Sequence, residues 1–178
     1  VFQFALTVIL VVSSLVIYKQ IRYIMDKDLG YDKGAIISFF TSGNLNGSFE
    51  SFRAEALQYP SVKNVARANE SLVQVENQNN SVTWPGKPED SQVFFRTVVV
   101  DFGYLETMGV TLNEGRFFSR EFNDTSNFIL TARAVEVMGL PTAIGTPLSQ
   151  WGNKGKVVGV ISDIHSRSLH ESIDPVIF

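Results

Sequence analysis

Asp163, His165, His170 and Glu171 come closest to a chemically competent constellation in this sequence. Asp-x-His offers two donor side chains and His170-Glu171 two more, enough in type for a zinc site. The spacing matches no tight metal signature, and these two histidines are the only ones in the chain. A polar loop after a strand, with side chains capping a turn, is the simpler reading, so no metal is expected. Asp101, Glu106, Glu114 and Glu121 could supply a general acid and base, but no spacing sets two of them in one pocket. Asp101, at a strand end, reads as the N-cap of a helix over residues 102–108. Gly115 reads as a position of positive φ, and Arg116 as a guanidinium seeking a carboxylate within the domain, Glu114 or Asp101.

Other chemistries are excluded by what the residues lack. There is no cysteine, hence no disulfide, thiolate metal site or cysteine nucleophile. Gly155-x-x-x-Gly159 has no following Lys-Ser/Thr and is not a phosphate loop, and no Gly-x-Ser-x-Gly elbow occurs. Any ATP that drives this protein must be bound by another chain. Trp84-Pro85-Gly86 and Phe94-Phe95 could present aromatics to a partner, though Phe94 and Phe95 alternate across a strand, which favours core packing for one of them. The sequons at Asn46, Asn69, Asn79 and Asn123 are accidents of an Asn/Ser-rich composition. No catalytic residue and no cofactor is assigned.

The elements that must position these residues begin with an anchor. Val1 to Tyr18 carries no charged side chain and is apolar all round, long enough as a helix to cross most of a hydrocarbon core about 30 Å thick. Thr7, Ser13 and Ser14 can bond back to helix carbonyls, and Tyr18 and Tyr23 sit where an interfacial aromatic belt would lie. A signal peptide would be shorter and would carry a small-residue cleavage site. Ile17, Ile21, Ile24 and Met25 then share one face while Lys19, Arg22, Asp26 and Lys27 take the other, so the helix continues as an amphipathic stalk and ends with Gly30 as its C-cap. Lys19, Arg22 and Lys27 alone would favour a cytoplasmic side for the residues beyond the helix. Val1 in place of Met, and a strand opening at the far end, read as a piece of a longer polypeptide.

Over the whole sequence, 44% of residues are hydrophobic, 19% are charged and the net charge is −3, which suits a packed domain and argues against a nucleic-acid surface. Residues 34–40 read as a strand, 49–59 as a helix stopped by Pro60, and 62–68 as a second strand, a βαβ-like or split βαβ unit. Residues 74–81 are an Asn/Gln-rich loop or hairpin tip, and 85–88 a turn with two prolines. A β run covers 92–101, a short helix 102–108 closes at Gly109, and Ser119 with Glu121 opens a turn. Residues 128–130 form a short strand, Thr131 N-caps a helix through Met138 that Gly139 ends, and 156–161 form a clear strand. One helical turn is expected at 168–172, then a strand from Asp174-Pro175. The fold class is α+β with a mixed sheet.

Several stretches resemble the FtsX-like, MacB-type ABC transporter permeases, most closely the large permeases of Bacteroidetes-like bacteria. They are Phe2-Gln3-Phe4, Val16-Ile17-Tyr18-Lys19-Gln20, Lys27-Asp28-Leu29-Gly30-Tyr31, Val100-Asp101-Phe102 with Leu105-Glu106 and Met108-Gly109, and Glu114-Gly115-Arg116-Phe117-Phe118. Further on come Val158 to His165, Ser168-Leu169-His170 and Ile173-Asp174-Pro175-Val176-Ile177. Each stretch is weak alone; their order along nearly the whole chain is the signal. The resemblance implies a transmembrane and stalk helix at 1–29 in the bacterial inner membrane and a periplasmic core at 30–178. That core would comprise a porter-like lobe, 33–69 with 155–178, and an inserted β-rich lobe, 70–154, with its other half beyond Phe178. It also implies a cytoplasmic ATPase subunit, membrane lipid, a second copy in a homodimer and a periplasmic or outer-membrane protein as partners. The function implied is coupling of ATPase motion to export or to another periplasmic event, with no nucleic acid involved.

Two rivals share the anchor and the domain: an extracytoplasmic ligand-binding sensor of a membrane receptor, and an anchored hydrolase using Asp163, His165 and Glu171 with a metal. The polypeptide beyond Phe178 separates the first rival from the permease, and metal content tests the second.

Overall fold

Residue types with long apolar runs and no breaker set the first element. The computed structural model describes residues 2–27, 29–32, 34–41, 47–72, 75–166 and 172–178. Helix α1, Phe2–Asp26, is one unbroken element. Its apolar side chains are exposed throughout, from Phe4 and Leu10 to Ile21 and Met25. Phe2–Met25 is long and apolar enough to cross a membrane, with none of its most apolar window buried against the domain. Thr7 donates to the Gln3 carbonyl at 2.9 Å, the back-bonding expected of a hydroxyl on an apolar helix.

The domain is built on one seven-stranded mixed sheet. Its strands are β1 (Gln78–Asn79), β2 (Phe95–Thr97), β3 (Leu112–Gly115), β4 (Phe128–Thr131), β5 (Pro147–Gln150), β6 (Asn153–Ile161) and β7 (Val176–Ile177). The order is β1-β2-β7-β4-β6-β3, with β5 paired to β6 as a hairpin. β7 runs parallel to β2 and antiparallel to β4, while β6 runs parallel to β4 and antiparallel to β3. Strands from 155–178 thus interleave with strands from 70–154, and one sheet serves both stretches.

Both faces of the sheet are apolar, as a sheet covered on two sides requires. Ile129, Val158, Ile161, Val176 and Phe178 face one layer with Leu105 and Met108 of helix α3, Tyr104–Thr107. Phe128, Leu130, Val157, Val160 and Ile177 face the other with Ala134 and Met138 of helix α4, Ala132–Met138. α4 has the expected caps. Thr131 Oγ1 accepts from the Ala134 amide at 3.3 Å, and Gly139 takes φ +65°. Ser119 Oγ accepts from the Glu121 amide at 3.2 Å and opens a one-turn 3-10 helix, Arg120–Phe122.

Two expected strands do not form. Residues 34–41 pair with no strand among the described residues. Ile36 packs on the core and Phe39 meets Phe52 edge-on at 6.1 Å, but Ile37 and Phe40 are 90% and 98% exposed. Residues 62–68 form no ladder; Ala68 makes a single bridge to Val100, flanked by the Asn69 amide bonded to the Val99 carbonyl and the Asp101 amide bonded to the Arg67 carbonyl. Apolar β-formers supply propensity; a ladder needs a partner backbone. Between them α2, Phe49–Ala56, forms and buries Phe49, so among the described residues the βαβ-like unit is a helix between two segments that add no strand to the sheet. The Asn/Gln-rich stretch instead contributes β1. The helical turn expected at 168–172 lies, apart from Ser172, outside the described residues.

Candidate functional site: the junction between helix and domain

Several of the residues singled out for chemistry build the scaffold instead. Asp163 Oδ1 accepts from the Arg133 amide at 2.7 Å and caps the first turn of α4. The His165 amide donates to the Leu29 carbonyl at 3.0 Å. His170, Glu171 and the sequon residue Asn46 lie outside the described residues, and among the described residues no three His, Cys, Asp or Glu side chains gather as a metal group. Glu106, Glu114 and Glu121 are exposed at separate places. Asp101 is not the N-cap of α3; Gly103, at φ +78°, holds that position. Asp101 accepts from the next amide, Phe102, at 2.8 Å and pairs with Arg67 at 3.3 Å. A Cβ at Gly155 would sit 1.8 Å from the Ser126 carbonyl oxygen, and one at Gly159 would sit 2.4 Å from that of Arg116. Both glycines are close-packing positions. Trp84 is buried and donates its indole N–H to the Met138 carbonyl at 3.1 Å. Phe95 is fully buried while Phe94 is exposed, the alternation a strand imposes.

Arg116 does bind a carboxylate inside the domain, but its partner is Asp124, not Glu114 or Asp101. Both guanidinium Nη atoms donate to the Asp124 carboxylate, which also accepts from the Ser119 amide at 2.9 Å and the Asn127 side-chain amide at 2.7 Å. The Asp124 side chain is 0% exposed. The Arg116 guanidinium, helped by the Asn127 and Ser119 donors, outweighs the cost of burial and lowers its pKa to about 2. Gly115 beside it adopts φ +76°, and a Cβ there would fall 2.3 Å from the Val158 carbonyl oxygen.

Where α1 joins the domain, the chain is stitched down over four residues. Leu29 accepts from the His165 amide, and the Asp32 amide donates to the Met108 carbonyl at 2.8 Å. Between these bonds Gly30 takes φ +83°, and a Cβ on it would lie 2.2 Å from the Asp163 carbonyl oxygen. Gly30 is therefore not the helix C-cap; α1 ends at Asp26, and Gly30 lets two backbones touch. On the other side a Cβ at Gly109 would come within 3.0 Å of the Asp32 Cβ. Tyr31 packs on the core face that holds Tyr104, and burial raises the pKa of both phenols. Asp32 Oδ1 accepts from the Gly34 amide at 2.8 Å and closes the strap.

The strap connects α1 to the exit of β6 and the end of α3, and through Asp163 to the start of α4. Its closest contacts join backbone to backbone, with Tyr31 packed on the core and Asp163 reaching α4 through its carboxylate, and close-packed interiors pass strain along. The sequence singled out Asp163, His165 and Gly30 but assigned none of them this task. Leu29, Asp32 and Asp124 carried no separate signal.

No protein-family model matches the chain, and no curated protein matches it. Solved structures do. The chain is similar to the periplasmic region of MacB from Actinobacillus actinomycetemcomitans, with TM-score 0.46 and 16% identity over 72% of this chain and 62% of that one. It is also similar to the extracellular domain of the noncanonic ABC-type transporter YknZ from Gram-positive bacteria, with TM-score 0.48 and 14% identity over 72% and 59%. A third similar structure is a domain assigned to a permease protein from Porphyromonas gingivalis, with TM-score 0.44 and 19% identity over 68% and 49%. The chain thus spans between half and just over three fifths of the length of each.

Proposed function

We propose that this chain is the anchored extracytoplasmic part of an ABC transporter permease, a mechanical element that passes ATPase-driven movement of a membrane helix to a periplasmic domain. The observation that carries the reading is α1, whose apolar side chains are exposed on every side of the helix from Phe2 to Ile24. Leaving so large an apolar surface in water is unfavourable by roughly 25 cal/mol per Å², and lipid removes that cost. The ordered stretches that resemble MacB-type permeases extend the reading from anchored domain to permease. The strap at Leu29–Asp32 gives helix movement a stiff route into β6 and α4. In this reading a cytoplasmic ATPase subunit supplies the ATP site, a second copy completes a homodimer, and the domain faces the periplasm from the bacterial inner membrane.

Alkaline carbonate extraction of cell membranes tests the anchor. The chain should stay in the membrane pellet, and a version beginning at Leu29 should appear in the supernatant. Release of the full chain by carbonate would remove the basis of the proposal.

A further inference from the structure

The β5–β6 hairpin turns through two residues, Trp151 and Gly152, between the paired Gln150 and Asn153. Both take positive φ, +50° and +84°, as a two-residue turn of the primed type requires. Asn or Gly normally fills the first position, and a bulky residue there is an outlier. About half of Trp151, 49%, is left exposed. A large aromatic held at a positive φ with half its surface exposed is an outlier that points to a role at the surface.

The charge around the tip supplies the second observation. From Leu140 to Ser162 there is no Asp or Glu, yet Lys154 and Lys156 fall in that stretch. They are exposed, two residues apart and therefore on one face of β6, opposite Ser149 and Pro147 rather than an acid. Among the described residues neither joins an ion pair. The nearby Asp124 carboxylate is consumed by Arg116. The whole chain has net charge −3, so this acid-free stretch stands out against an acidic remainder.

We propose that this tip docks an acidic, extended segment of a partner protein, with the Trp151 indole stacked on its backbone or apolar side chains. Carboxylates at alternate positions of such a segment, about 7 Å apart, would meet Lys154 and Lys156. The choice of a protein over a bilayer rests on the anchored reading. The tip lies at the start of β6, and the strap that receives α1 lies past its other end, roughly 30 Å away for nine strand residues.

The test uses the full chain in zwitterionic nanodiscs and follows its two indole N–H resonances by NMR. Trp84, bonded to Met138, serves as the internal reference. The probe is a short blocked peptide with glutamate at alternate positions, with its glutamine counterpart as control. The glutamate peptide should shift Trp151 and the Lys154 and Lys156 amides and leave Trp84 in place, while the glutamine peptide should not. Lys154→Glu with Lys156→Glu should weaken binding by roughly tenfold, as two exposed ion pairs would. Trp151→Asn should also weaken binding while raising Tm by about 2–4 °C through relief of strain. The docking proposal is overturned if the glutamate peptide moves nothing, if Trp151→Asn binds undiminished, or if phosphatidylglycerol vesicles shift Trp151 where the peptide does not. Carbonate extraction reads the anchor separately, so failure of the docking proposal is distinguishable from failure of the anchor.

Discussion

Replacing Asp124 by Asn keeps the volume and removes the charge that four donors address. With the carboxyl held at about 2 against an ordinary 3.8, ionised Asp124 contributes about 2 kcal/mol of stability, at about 1.4 kcal/mol per pKa unit. The Arg116 side chain is 34% exposed, so water screens part of its attraction and that figure is an upper estimate. The Asn amide would also face donors with a donor of its own, which adds about 1 kcal/mol. Asp124→Asn should therefore destabilise by about 2–3 kcal/mol at pH 7, on the order of 1 M in urea midpoint. Because the folded pKa is depressed, the ionic share is fully present above about pH 5 and is lost as pH falls through 4 towards 2. The assay is urea unfolding of residues 29–178, which omit α1 and keep both core faces, followed by the fluorescence of buried Trp84. The gap between wild type and variant should narrow by most of its ionic share between pH 7 and pH 2.5. A gap that is absent at pH 7, or that stays constant with acid, would refute the account of this pair.

Other substitutions probe the strap and the caps. Gly30→Ala would place a Cβ 2.2 Å from the Asp163 carbonyl oxygen at a left-handed φ, so it should destabilise the domain by several kcal/mol or peel the strap away. Faster hydrogen exchange at the His165 and Asp32 amides distinguishes peeling. Asp163→Ala should cost about 1 kcal/mol by uncapping α4, with lost exchange protection at the Arg133 amide as the local readout. Gly155→Ala, whose Cβ would lie 1.8 Å from the Ser126 carbonyl oxygen, should shift β6 from the Asp124–Ser126 turn and lower the urea midpoint more than Asp163→Ala does.

How far each feature can be read from the sequence depends on how locally it is determined. α1 needed only an apolar run without a breaker. α4 carried its own start and stop in Thr131 and Gly139, and β6 its own run of β-formers. The partner of Arg116 was not legible, because Asp124 sits in an Asn-Asp-Thr sequence that looks like surface, and only the turn at residues 119–123 folds it inward. Residues 34–40 have strand composition but no strand partner among the described residues, while Pro147–Gln150 has little strand character and becomes β5 because β6 pairs with it. Gly30 has the position of a helix cap by sequence; its actual constraint, the Asp163 carbonyl, lies more than a hundred residues away. Pairing and close approach are set by tertiary structure, which single-chain periodicity does not encode.

The sidedness of the domain is the most direct test of the central claim. The chain has no cysteine, so Glu89→Cys, at an exposed loop position, gives a single thiol. A maleimide that cannot cross the inner membrane, applied to cells with permeabilised outer membranes, should label this thiol fully before lysis. Labelling only after the inner membrane is broken would place the domain in the cytoplasm and contradict the account.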